Sequence, residues 1–80
     1  MTQRNEWKTE GGRRLRGRRT DLDLTIDEVA EAIGKSPAMV YRYESGATDP
    51  MRAGVSVIYA AALRVRSLAS LYMSGRVEAL

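Results

Sequence analysis

Residues 24–46, LTIDEVAEAIGKSPAMVYRYESG, hold two short segments of helical periodicity with one glycine between them, and no other stretch limits the fold so tightly. Thr25-x-x-Glu28 is a capping box, in which the threonine oxygen accepts from one orphan amide and the glutamate from another. Ile26, Val29, Ala30 and Ile33 then recur at i, i+3, i+4 and i+7, the stripe of a helix with one buried face. Gly34 stands where a left-handed C-cap is needed. Ser36-Pro37 opens the second segment with a serine N-cap and a proline at the first helical position, where its missing amide costs nothing. At 100° per residue Val40 and Tyr43 define the inward face, Ala38, Tyr41, Arg42 and Ser45 point away, Pro37 leads the tip, and Gly46 closes the helix.

A small residue, Ala30, that allows close approach, a glycine turn at Gly34 and an apolar lock at Val40 are what a helix-turn-helix requires. An ordinary helical hairpin remains the plain alternative. Eighty residues provide for one domain with one modest core. The chain contains neither cysteine nor histidine, so disulfides, zinc-finger sites and the usual nucleophile and base pairs are excluded. No carboxylate pair sits in an evident pocket, and we expect no catalysis, no cofactor, no metal and no small-molecule ligand. No apolar run approaches the roughly 20 residues of a membrane span, and the first residues lack a signal-peptide pattern, which points to a cytoplasmic protein.

Around this centre the signals are weaker. Residues 1–11 show no apolar period and read as a flexible basic arm in which Trp7 alone has something to dock; residues 12–75 form the domain and residues 76–80 a tail. A first helix over residues 13–22 places Leu15 and Leu22 on one face, with Gly17 costing about 1 kcal/mol relative to alanine. After a turn at residues 47–50, Val55, Ile58, Ala62 and Val65 predict the buried stripe of a fourth helix, whose start Gly54 blurs. A fifth, over residues 67–73, returns Leu68, Leu71 and Tyr72 to the core. The expected fold is all-α, a compact bundle of about five short helices.

Charge is unevenly spread. Residues 1–20 carry seven basic and two acidic groups, residues 21–50 two and seven, and residues 51–80 four and one. A basic block at one end suits phosphate binding by counterion release; a solvated tail is the bland alternative, and charge alone does not separate them.

Residues 12–71 resemble the repressor and Cro-type helix-turn-helix family of bacteria and phages. The resemblance rests on Leu15-Arg16-x-x-Arg19, on Leu24-Thr25-x-x-Glu28-Val29-Ala30-x-x-Ile33-Gly34-x-Ser36, on Tyr43-Glu44-Ser45-Gly46-x-x-x-Pro50 and on Ala61-Ala62-Leu63-x-Val65. It implies a five-helix DNA-binding bundle with its third helix in the major groove, normally dimeric, and a structural ion pair between Arg19 and Glu44. The chain departs from the family at Ile26, where a phosphate-binding glutamine is common, at Arg18, where a leucine is usual, and at Arg64, where glycine is usual.

From these residues we expect a regulator that binds double-stranded operator DNA, probing base edges with Pro37, Ala38, Tyr41 and Arg42 and phosphates with Lys35, Ser36, Ser45, Arg13, Arg14, Arg16, Arg18 and Arg52. Its mode is that of a Cro-like or phage repressor acting by operator occupancy, as a homodimer at least on DNA, with Val65, Leu68, Leu71 and Tyr72 at the interface. An antitoxin-like protein that grips a partner and an excisionase-like architectural factor stay open.

Overall fold

The structure, a computed structural model, describes residues 6–80, so what the sequence suggests for residues 1–5 lies outside the described part. Five α-helices and one 3-10 turn follow in order: α1 (Glu6–Asp21), α2 (Ile26–Ile33), α3 (Pro37–Ser45), the 3-10 turn Pro50–Ala53, α4 (Ser56–Ala62) and α5 (Leu68–Ser74). α1 lies across α3 and α5, α2 packs on α3 and α4, and α4 on α5. The fold is the all-α bundle expected.

The central pair forms for the reasons its residues give. Thr25 accepts from the Glu28 amide at 3.0 Å while Glu28 accepts from the Thr25 amide at 2.7 Å, closing the capping box. Gly34 adopts φ 71°, a left-handed conformation that costs other residues about 1–2 kcal/mol, and its turn delivers α3 against α2. Ser36 caps α3 through the Met39 amide at 3.1 Å, with Pro37 at the first position. Val29, Ala30, Ile33, Val40 and Tyr43 then enter one core with Leu15, Tyr59, Leu63, Leu68, Leu71 and Tyr72.

α1 departs most from expectation. It begins at Glu6 rather than Arg13, so residues 6–11, read as arm, are helical, and Gly11 and Gly12 are buried. The glycine pair is a contact surface. A Cβ at Gly11 would strike the Tyr72 ring, and one at Gly12 the backbone carbonyl of Glu44, so only bare backbone lets α1 lie this close to α5 and α3. Trp7 meets Tyr72 edge-on with ring centroids 6.2 Å apart.

The fourth helix keeps its place but not its phase. Tyr59 and Ala60 face the core, with Val55 and Leu63 at its ends, whereas Ile58 and Val57 are exposed. Gly54 ends the 3-10 turn instead of starting the helix. Arg64, at the family's glycine position, takes φ 58°, the backbone state for which glycine is suited. The tail packs back on the domain: Val65 and Ala79 form an antiparallel bridge, with the Arg66 amide donating to the Glu78 carbonyl at 2.7 Å.

Candidate nucleic-acid interface

The rotation of α3 is fixed by what it buries. Val40, Tyr43 and Glu44 face inward; Pro37, Ala38, Tyr41, Arg42 and Ser45 lie exposed, Tyr41 by 63%. Lys35 and Ser36 are exposed at the helix entry, where amides of the first turn face outward. Arg42 Nε donates to Thr48 Oγ1 at 3.2 Å, which steadies the guanidinium and leaves its Nη groups without a protein partner among the described residues. Ser45 Oγ donates to the Arg42 carbonyl at 3.2 Å, so its proton is already engaged.

Behind this surface lies a closed ion pair. Arg19 Nε donates to Glu44 Oε2 at 2.6 Å and Nη2 to Oε1 at 3.1 Å, a two-pronged contact, while Nη1 donates to the Leu24 carbonyl at 2.8 Å. The two side chains are only 11% and 6% exposed. Hydrogen bonding to Glu44 raises the Arg19 pKa above its ordinary value, outweighing the burial that opposes it. The pair joins α1 to the last turn of α3 and to the entry of α2, so the exposed face of α3 is held by the same contact that holds the core. Tyr59 stands close enough to Glu44 that the carboxylate adds to the burial that pushes its phenol well above the usual range.

The arginines of α1 divide into different tasks. Arg14 donates to the Tyr72 carbonyl at 3.0 Å, and Arg18 donates to the carbonyls of Leu63 at 2.9 Å and Arg64 at 3.3 Å. They satisfy the orphan carbonyls at the C-termini of α5 and α4, where the helix dipole also favours a cation. The phosphate contacts expected of Arg14 and Arg18 are therefore corrected: both guanidinium groups are turned into the domain. Arg13 is exposed beside Glu10 at 3.6 Å. Arg16 is exposed and lines a cleft of about 290 Å³ with Ile26, Tyr41 and Ser45, on the α3 side.

Lys8, which sequence reasoning left in the arm, shares a second cleft of about 300 Å³ with Thr48, Asp49 and Arg52 beyond the C-terminal end of α3. Only knowing that α1 starts at Glu6 brings it there. The expected dimer residues are corrected as well. Val65, Leu68, Leu71 and Tyr72 are 1%, 2%, 3% and 0% exposed, because the single core takes them all up. No cluster of acidic side chains suited to a metal occurs among the described residues, and no helix is long and apolar enough to cross a membrane.

A short exposed helix held across a capped partner by a glycine turn, with cations on its flanks, has the dimensions to enter a major groove about 12 Å wide, and it defines the molecule as a helix-turn-helix DNA-binding protein. The chain belongs to the helix-turn-helix domain family, whose model matches residues 11–79. It is a DNA-binding transcriptional regulator, and not an enzyme. It is similar to the crystal structure of the clp gene regulator ClgR from C. glutamicum, at 27% identity and a TM-score of 0.71 over 86% of this chain and 90% of that one. No curated protein sequence matches significantly.

Proposed function

We propose that the chain is a sequence-specific repressor of the Cro-like or phage type, which acts by occupying an operator as a homodimer on DNA. The observation that supports this most directly is the division of α3 into a buried face of Val40, Tyr43 and Glu44 and an exposed face of Pro37, Ala38, Tyr41 and Arg42. On this reading the Nη groups of Arg42 bridge a guanine, Pro37 and Ala38 meet a thymine methyl, and Tyr41 works at the groove edge. Lys35, Ser36, Arg13, Arg16 and Arg52 hold phosphates and set the register. Similarity to a protein described as a gene regulator supports the regulatory role, and the exposed α3 carries the claim to specificity.

Selection of bound sites from random duplex DNA tests it. A single enriched palindrome is expected, and Arg42→Ala should relax one base position by about 1–3 kcal/mol while leaving the other positions unchanged. Failure to enrich any site would overturn the specific-repressor reading.

A further inference from the structure

The cleft beyond the C-terminal end of α3 has a volume of about 300 Å³ and is lined by Lys8, Thr48, Asp49 and Arg52 with two alanines. Its turn is tied to Arg42 at three points: the amides of Ala47 and Thr48 donate to the Arg42 carbonyl at 2.9 and 3.2 Å, and Thr48 Oγ1 accepts from Arg42 Nε at 3.2 Å. The cleft therefore keeps a fixed place beside that guanidinium. Lys8 reaches it because the first turns of α1 press on the end of α3, where a Cβ at Gly46 would stand 2.8 Å from Thr9 Cα. The side chain is placed rather than loose. Its residue is half-buried, the Lys8 carbonyl accepts from the Tyr72 hydroxyl at 3.4 Å, and the ammonium stands 5.9 Å from the centroid of the Trp7 ring, within cation–π range.

Two cations share the cleft with one carboxylate. Asp49 Oδ1 already accepts from the Met51 amide at 2.9 Å as the cap of the 3-10 turn, whereas Lys8 and Arg52 enter no ion pair among the described residues. Thr48 accepts from Arg42, and a hydroxyl that accepts keeps its own proton for a further acceptor. Two cations and a free hydroxyl proton suit an anion with several oxygens, and the position of the cleft selects its source. A helix in the major groove has a sugar-phosphate wall on either side. The Arg16 cleft adjoins Tyr41 and Ser45 of α3, and the Lys8 cleft adjoins Arg42 through Thr48. We propose that the Lys8 cleft seats one phosphate of the DNA backbone, held by the Lys8 ammonium, the Arg52 guanidinium and the Thr48 hydroxyl. Resting on the DNA-binding reading of α3, this seat brings the start of α1 into the interface. Thr48 then links the phosphate to the arginine that reads a base, so the two contacts are made in one register.

The test uses the full chain with the duplex that site selection enriches, or with a random duplex if none is enriched. Lys8→Gln should lower the slope of log affinity against log salt by about 0.9, the loss of one phosphate contact, with the melting curve unchanged. Lys8→Arg should restore the slope. On an enriched duplex, phosphates are then replaced one at a time by uncharged methylphosphonate linkages. The unaltered chain should lose affinity at one linkage to which Lys8→Gln is indifferent, while both proteins are weakened alike at linkages held by other cations. An unchanged slope for Lys8→Gln, or equal sensitivity of the two proteins at every linkage, would overturn the phosphate seat and leave DNA binding by α3 standing. Failure of the unaltered chain to bind any duplex would overturn both.

Discussion

Gly12 lies directly against the peptide group of Glu44, so the backbone of α1 touches the end of α3 with no side chain between them. A methyl group at position 12 would collide with the Glu44 carbonyl, and backbone, unlike a flexible side chain, has no rotamer to yield. Gly12→Ala should destabilise by about 3 kcal/mol, the upper end of the usual overpacking range, in denaturant melts. Gly17, in the same helix, has open space where its Cβ would stand, and Gly17→Ala should gain up to about 1 kcal/mol from helix propensity. Similar effects at the two positions would mean that α1 does not approach α3 as described.

The contact between Arg19 and Glu44 predicts a different pattern. Removing one partner leaves a charge in a site where it is almost out of water, a loss of about 3–5 kcal/mol. Glu44→Ala should therefore lower the melting temperature by more than about 12 °C in a domain of this size. The paired change Arg19→Met with Glu44→Leu removes both charges and keeps the volume. It should be less damaging than either single truncation, as seen when buried ion pairs are replaced by apolar groups. An unchanged melting curve for Glu44→Ala would show that the pair does not hold the domain.

The elements that the sequence displayed most clearly are those decided by local chemistry. Thr25, Glu28, Gly34, Ser36 and Pro37 act within four residues of themselves, and their roles in capping and turning are visible without any knowledge of the rest of the fold. Gly11 and Gly12 show the opposite case. A glycine pair in a polar stretch signals flexibility, and only the rings and carbonyls brought to it from α3 and α5 make it a packing face. Arg14 and Arg18 looked like free cations because the carbonyls they bind are 58 and 45 residues away in the chain. The phase of α4 was illegible because Val55, Val57, Ile58, Tyr59 and the alanines make almost every position apolar, so periodicity cannot choose a face. The candidate site followed the same rule: the outward residues of α3 were readable from helix geometry, whereas the place of Lys8 depended on where α1 begins.

Buried tyrosines set the pH range of the fold. Burial, assisted by the charge of Asp49, raises the Tyr72 pKa from 10.0 to about 12, and burial raises those of Tyr43 and Tyr59 as well. Between these values the unfolded chain has released protons that the folded chain keeps, so stability falls as pH rises. With no histidine present, the melting temperature should be nearly flat from about pH 6 to 9 and drop between about pH 10 and 12. Thermal melts across this range check it, and the fluorescence of Trp7, edge-on to Tyr72, reports locally. Tyr72→Phe should reduce the alkaline loss; a steep change near pH 7 would contradict the assignment.

The arginines of α1 allow stability and DNA affinity to be separated within one helix. Arg14 and Arg18 are turned onto carbonyls of the domain, whereas Arg16 projects into the cleft beside Tyr41 and Ser45. Each phosphate neutralised by a cation adds about 0.9 to the slope of log affinity against log salt. Arg16→Gln should therefore lower that slope by about 1 and leave the melting temperature within a degree or two, since surface substitutions cost about 0.5 kcal/mol or less. Arg18→Gln should do the reverse. It strips two hydrogen bonds from the end of α4, each worth about 1.5–3 kcal/mol when the donor is charged and buried and less at this half-exposed site, yet it removes no phosphate contact and should leave the slope intact. Titrations of one duplex at several salt concentrations, read beside thermal melts of the same variants, decide the matter. If Arg18→Gln flattened the salt slope as much as Arg16→Gln, its guanidinium would have to leave the α4 carbonyls on DNA, and the division of labour within α1 would fail.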